Sequence, residues 1–365
     1  EPTLTALEID ALAGLQVVDA TDLATAHHPP LDPDRPALIG QLDNQQLASD
    51  VKLTLMNAYP DDHLVTLVQA AGIPECTRIT IPLYELDRGQ RLDHLTTLYV
   101  PPLPHVSGLP AFQETVARLR APDGCPWDRE QTHQTLRSNL LEETYEVLTA
   151  LDADDPGKLC EELGDLLMQI AMHVQIATEE GTFRFADVIG RIDAKLKRRH
   201  PHVFGDLTVQ DSTEVLRNWE AIKADERAAE KKIPCSRLEG ISSALPALAR
   251  AQAIGERAAR SGFDWPDVEG VLDKVIEEVH ELRGTEDPAA REQEMGDLLF
   301  TLVNLARWLN VDAESALRRA CDRFTQRFAE MEREACSQDS DFAALSPAEQ
   351  EALWQKAKAQ QRDNS

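Results

Sequence analysis

The chain has 365 residues, enough for two or three domains with cores of their own. Lys and Arg number 37 against 64 Asp and Glu, a formal net charge of −27. That balance argues against nucleic acid as an adhered partner and requires a local basic patch or a metal for any polyanionic substrate. No apolar run reaches membrane-spanning length and no signal peptide is readable. The six cysteines, Cys76, Cys125, Cys160, Cys235, Cys321 and Cys336, form no CxxC pair or regular framework, which predicts reduced thiols in the cytoplasm.

Residues 1–105 predict an α/β segment. "PALIGQL", "HLVTLV" and "TRITIPLYEL" are strand-like, with β-branched residues between turn signals, and "ASDVKLTLMNAY" reads as a helix. "PPLPHVSGLP" at 101–110 predicts a stiff linker, since its prolines block both helix and ladder.

"SNLLEETYEVLTALDADDPGKLCEELGDLLMQ", residues 138–169, sets acids into an otherwise leucine-rich stretch. At about 3.6 residues per turn Glu142 and Glu146 stack on one face, and Glu162 and Asp165 share a face of the next helix. Leu140, Leu141, Val147, Leu148, Leu163, Leu166, Leu167 and Ile170 keep the helical period and predict packing between the two helices. "DADDPG" predicts a short turn, with Pro156 in the first turn of the second helix, so EExxE and ExxD can face each other. Carboxylates crowded in this way repel unless a cation joins them, and hard oxygen ligands favour Mg²⁺, with Mn²⁺ as a substitute, over Zn²⁺.

The pattern recurs at 274–300, where Glu277, Glu278 and Glu281 repeat EExxE and Glu294 with Asp297 repeats ExxD. The flanks recur as well: "CPWD" at 125–128 with "GFDW" at 262–265, "KLKRRHPHVF" at 195–204 with "DRFTQRFAEM" at 322–331, and Trp219 with Lys223 matching Trp354 with Lys358. A repeat this long predicts a duplicated helical domain, not a solenoid. Two plainer readings stand beside a site. An EExxE can be a solvated helix face, and Arg198, Arg199 and Arg323 can solvate helix ends. Glu277 with His280 makes one ExxH of the kind di-iron bundles use, but Tyr145 stands at the matching position and the partner helix offers ExxD. His200 and His202 flank a proline and predict a structured turn.

"DGCPWDREQTHQTL", "LEETYEV", "EELGDLL", "RRHPHVFGD", "LPALARAQ" and "QEMGDLLF" together resemble the MazG nucleoside triphosphate pyrophosphohydrolases, two tandem modules of which would fill the chain from about residue 106. The resemblance implies a mainly α protein: tandem all-α NTP pyrophosphatase bundles at 106–235 and 236–365 behind a small N-terminal α/β segment at 1–105. It implies hydrolysis of NTPs or dNTPs between the α- and β-phosphates, in nucleotide-pool housecleaning, by a homodimer or higher homo-oligomer. The metal ligands it implies are Glu143, Glu146, Glu162 and Asp165, and in the second module Glu278, Glu281, Glu294 and Asp297. Glu142 and Glu277 would orient or deprotonate water. The substrate contacts would be Lys158, Lys195, Arg199, Trp219 and Lys223, and in the second module Lys274, Asn304, Arg323, Arg327, Trp354 and Lys358. The modules depart from one another where Asn139 matches Lys274, Ala290 matches Lys158 and Met172 matches Asn304, and Cys321 replaces a family Asn. One module could therefore be a non-catalytic dimerisation bundle. "LDHLTTLYVPPL" at 92–103 resembles the C-terminal half of a tetrapyrrole methylase domain, without a glycine-rich loop for S-adenosylmethionine.

Overall fold

A computed structural model of the chain describes residues 2–12, 14–89, 91–229, 236–337 and 341–363. Cys235 and the expected boundary between the two modules lie outside the described residues. The fold is mainly α, with a small sheet near the N-terminus. The chain divides into two compact units, Glu1–Val147 with Gly157–Ile189, and Leu148–Pro156 with Gly190–Ser365.

The first unit begins with α1 (Pro2–Leu7), β1 (Gln16–Asp19), α2 (Ala20–Thr25), β2 (Ala37–Gly40), α3 (Gln45–Leu55), β3 (Leu64–Gln69), β4 (Thr77–Pro82) and β5 (Thr96–Val100). Their order in the sheet is β1-β2-β5-β3-β4, with β1 parallel to β2 and the other pairings antiparallel. The three strand-like stretches fall on β2, β3 and β4, and the expected helix falls on α3. β2 is the apolar run "ALIG", and its Leu38 pairs with Val17 on one side and Tyr99 on the other, so the strand is buried between neighbours. "TRITIPLYEL" splits: Pro82 closes the strand, and Leu83–Glu85 form a 3₁₀ turn. Asn44 caps α3, its side chain accepting the Leu47 N–H at 2.9 Å. Ile39, Val65, Leu98 and Val100 pack with Leu23 of α2 and Val51 and Leu55 of α3.

The proline-rich stretch does more than space two domains. Leu103 N–H donates to the Pro33 carbonyl at 2.9 Å, and the Asp34 carboxylate accepts from the Ser107 and Gly108 N–H groups at 2.8 and 2.9 Å. Gly108 immediately precedes α4 (Leu109–Arg120), and a Cβ there would stand 2.4 Å from Asp32 Oδ1. The chain continues through α5 (Pro126–Glu130), α6 (Arg137–Asp152) and α7 (Pro156–Glu179). Val116, Leu136, Ala171, Met172 and Ile176 form a second core. "DADDPG" is the expected turn, with Asp154 at φ +52° and Pro156 opening α7.

The second unit holds α8 (Phe185–Arg199) from Gly190 on, α9 (Pro201–Phe204), α10 (Ser212–Ala229), α11 (Ala247–Arg260), α12 (Val268–Gly284), α13 (Pro288–Trp308), α14 (Ala313–Ser337) and α15 (Pro347–Asp363). α12 packs on α13, α11 on α13 and α14, and α14 on α15. Asp267 and Asp287 cap α12 and α13, accepting from Gly270 and Ala290 N–H at 2.9 Å each. Asp152, at the end of α6, pairs with Arg318 and Arg319 of α14.

Candidate active site

Each acid pair rides on a helix hairpin, so the side chains that meet come from both arms. In the first hairpin one carboxylate oxygen from each of Glu143, Glu146 and Glu162 lies within 4.8 Å of the others. Glu162 is buried, Glu143 half-buried and Glu146 exposed. Burial, reinforced by Asp165 and Glu146, raises the Glu143 carboxyl above its ordinary value, and burial with Glu146 does the same to Glu162. Lys158 Nζ stands 3.8 Å from Glu162 Oε1. Glu142, one residue before the cluster, is exposed.

The second hairpin closes a different triple: Glu278, Glu294 and Asp297 converge within 4.8 Å. Glu281 stands near enough for its charge to raise Glu294, although burial is the larger cause. Lys274 Nζ bridges Glu277 Oε1 at 2.8 Å and Glu278 Oε1 at 2.9 Å, and these bonds raise the lysine well above its usual range. Glu278 is buried and its Oε2 has no hydrogen-bond partner. An orphaned, buried carboxylate oxygen beside two further carboxylates is a set of hard anionic donors short of positive charge. It fits a hard divalent cation and offers nothing to a thiophilic one.

Apart from Lys158, the predicted cations and tryptophans lie in the second unit. Lys195 is exposed on α8. Arg199 lies against Glu226 of α10, with Nη2 at 2.6 Å and Nε at 3.2 Å from Oε2, while Arg198 Nε reaches Oε1 at 2.6 Å. The two guanidiniums, Arg199 first, hold the Glu226 carboxyl down to about 2. The Trp219 ring lies 4.2 Å from Lys223 Nζ and 5.9 Å from the Arg199 guanidinium. In the repeat, Arg327 sits 5.5 Å from the Trp354 ring, and its Nε donates to Gln361 Oε1 at 2.7 Å. Gln361 Nε2 donates in turn to Gln326 Oε1 at 2.9 Å. Gln326, Arg327 and Gln361 line a cavity of ≈ 500 Å³ with Glu330, Arg333 and Gln360. Arg323 is exposed on the same helix, and Lys358 is half-buried one turn beyond Trp354. Asn304 is buried: its Nδ2 donates to the Phe300 carbonyl at 3.1 Å, and its Oδ1 lies where a Cβ on Gly255 would come within 2.4 Å. His200 and His202 make the expected turn at α9, rings 5.7 Å apart.

The family model for the MazG nucleotide pyrophosphohydrolase domain matches residues 131–204 and again 267–331, one match over each acid hairpin. Over 251 residues the chain is 46% identical to the nucleoside triphosphate pyrophosphohydrolase/pyrophosphatase MazG of Thermotoga maritima, covering 68% of this chain and 95% of that one. The chain belongs to the MazG family. It is 47% identical over 252 residues to the nucleoside triphosphate pyrophosphohydrolase of Escherichia coli K12, covering 67% of this chain and 95% of that one. The uncharacterized protein YabN of Bacillus subtilis 168 matches over 99% of this chain and 74% of its own length, at 41% identity. The MazG matches contain every acid of both hairpins, whereas Glu226 and Gln361 lie beyond them and were not among the predicted site residues. Their signal was in the spacing, since each follows its tryptophan by two helical turns.

Proposed function

We propose that the chain hydrolyses nucleoside triphosphates between the α- and β-phosphates, releasing a monophosphate and pyrophosphate. The observation that carries this reading is the buried Glu278 with its orphaned Oε2, packed with Glu294 and Asp297 inside a MazG-matched segment. Glu278, Glu281, Glu294 and Asp297 would hold Mg²⁺, or Mn²⁺ in its place, as would Glu143, Glu146, Glu162 and Asp165. When bound, such an ion polarises phosphate oxygens and lowers the cost of developing negative charge.

The chain's own groups supply the rest. Lys274 fixes the Glu277 carboxylate at 2.8 Å, leaving its second oxygen to orient and deprotonate the attacking water. Arg327, with Arg323 and Lys358, binds the phosphates, and Trp354 supports the base; Arg199, Lys195, Lys223, Trp219 and Lys158 are their first-module counterparts. Asn304, whose Oδ1 accepts from Arg307 Nε at 3.3 Å, would contact the base or sugar.

The proposed domains are 1–105, 106–235 and 236–365, the first a methylase-like remnant that does not bind S-adenosylmethionine. A cytoplasmic role in clearing unwanted nucleotides follows from this reading, with no nucleic acid as partner. A homodimer or higher homo-oligomer is supported by matched apolar positions left open in both hairpins. Leu141 and Ile276 are each 56% exposed, and Leu167 and Leu299 are 41% and 48% exposed. No described helix is long and apolar enough to cross a membrane.

The product decides the reaction. Incubation with an NTP and Mg²⁺ should yield equal amounts of monophosphate and pyrophosphate by ion-exchange chromatography. Diphosphate with orthophosphate would overturn the proposal.

A further inference from the structure

We propose that the residue two turns after each tryptophan, Glu226 in the first module and Gln361 in the second, sets how strongly the arginine beside it holds a nucleotide's phosphates. It acts as a positioning residue through the arginine beside it. The inference rests on the proposed nucleotide chemistry and adds to it a reason for the modules to differ.

The two modules build the same triad from different chemistry. Glu226 lies between Arg198 and Arg199, and Gln361 lies between their repeat counterparts Gln326 and Arg327. In both, the arginine stands over the tryptophan ring, at 5.9 and 5.5 Å. The carboxylate takes Nε and Nη2 of Arg199 together, the paired edge with which a guanidinium grips a phosphate. The amide takes Nε alone of Arg327, so neither Nη is committed to Gln361. Charge works in the same direction. A phosphate approaching Arg199 meets the Glu226 carboxylate bonded to that guanidinium, and Arg198, which balances the carboxylate, is bonded to its other oxygen. A phosphate approaching Arg327 meets a neutral amide. Among the described residues, the charged groups that line the cavity with Arg327, namely Glu330 and Arg333, are paired with each other at 2.5 Å. The first module is thereby built to hold its arginine still and the second to offer it.

Single-module proteins test the idea, each in the full chain. With Glu281→Gln and Arg327→Ala together removing the second module's hold on nucleotide, Glu226→Gln should tighten a non-hydrolysable α,β-methylene dATP about tenfold by calorimetry, the effect of one unit charge at phosphate distance. The same substitution should lower KM for dATP rather than raise kcat. Glu226→Asp, which keeps the charge, should not tighten binding, and the gain from Glu226→Gln should shrink at high salt. With Glu146→Gln and Arg199→Ala together removing the first module's hold on nucleotide, Gln361→Glu should weaken the analogue by a similar factor. Unchanged affinity in both Glu226→Gln and Gln361→Glu would overturn the inference, as would equal effects of Glu226→Gln and Glu226→Asp. Failure of the wild type to release pyrophosphate would instead remove the proposed reaction, and the analogue affinities would still judge the triad.

Discussion

The two acid hairpins solve one electrostatic problem from opposite arms. In the first, the lysine near the carboxylates is Lys158 on α7, and the matching place on α13 holds Ala290. In the second, it is Lys274 on α12, and the matching place on α6 holds Asn139. Each module keeps one ammonium beside its buried glutamate, yet the two glutamates are not repeat equivalents, since Glu162 matches Glu294 and Glu278 matches Glu143. The deliveries are unequal: Lys274 bridges two carboxylates within 2.9 Å, whereas Lys158 stands 3.8 Å from one. The third acid of each close triple also differs, Glu146 from the first arm in one case and Asp297 from the second arm in the other. A duplicated site has drifted in its parts while conserving its charge count within the cluster.

Substitutions at the buried glutamates should break this comparison most sharply. Glu278→Gln should cost at least about 100-fold in kcat for pyrophosphate release, the upper range of what changes around a metal site cost. Glu162→Gln should cost a smaller share, because Lys158 stands 3.8 Å from Glu162 whereas Lys274 is bonded to Glu278 at 2.9 Å. If Glu162→Gln alone abolished release, the ranking of the modules would be reversed. Metal linkage comes next. Mg²⁺ at about 100 times its dissociation constant should stabilise the protein by about 2.7 kcal/mol per site, read as a rise in Tm that EDTA reverses. An unchanged Tm with full activity in EDTA would exclude metal from both hairpins.

A smaller effect lies in the pH dependence of the metal-free protein. Burial and like charges raise Glu294 in the folded state, so its ionised form is penalised above that raised value and the penalty is relieved as the pH falls through it. Glu294→Gln should therefore raise the metal-free Tm at neutral pH, and the gain should fade on acidification toward the ordinary carboxylate range. A gain constant with pH would assign it to packing instead. Least in size, Lys274→Gln should slow pyrophosphate release more than Lys158→Gln, each by a few-fold at saturating Mg²⁺, as expected when a partly exposed ion pair is lost beside a cation that can take over its charge. Equal losses would mean that the tighter bridge at Lys274 confers no advantage.

Much of this was legible in the chain. Helical period and the DADDPG turn locate the first hairpin, the repeat of its acid pattern locates the second, and β-branched runs between turn signals locate three of the five described strands. β1 and β5 escaped because their inclusion depends on partners distant in sequence: "QVVD" becomes a strand by lying beside β2. Within the site, residue types gave the acids, but not which three would converge. That depends on the relative rotation of two helices, which lets Asp297 into one cluster and Glu146 into the other. Glu226 and Gln361 were hidden for a different reason. Each looks like any polar residue on a solvated helix, and its role exists only through the arginine it meets on a neighbouring helix.

The Asp34 carboxylate has a practical consequence for anyone dissecting the molecule. The obvious place to cut is the proline-rich stretch before residue 106, yet the acceptor for the Ser107 and Gly108 N–H groups would leave with the discarded piece. Excision there would strip α4 of the carboxylate at its entrance, and α4 contributes Val116 and Phe112 to the core that also holds Met172 of α7. A severed preparation would thus begin with a frayed helix one layer away from its acids, and sluggish turnover in it would report the surgery and not the catalytic module.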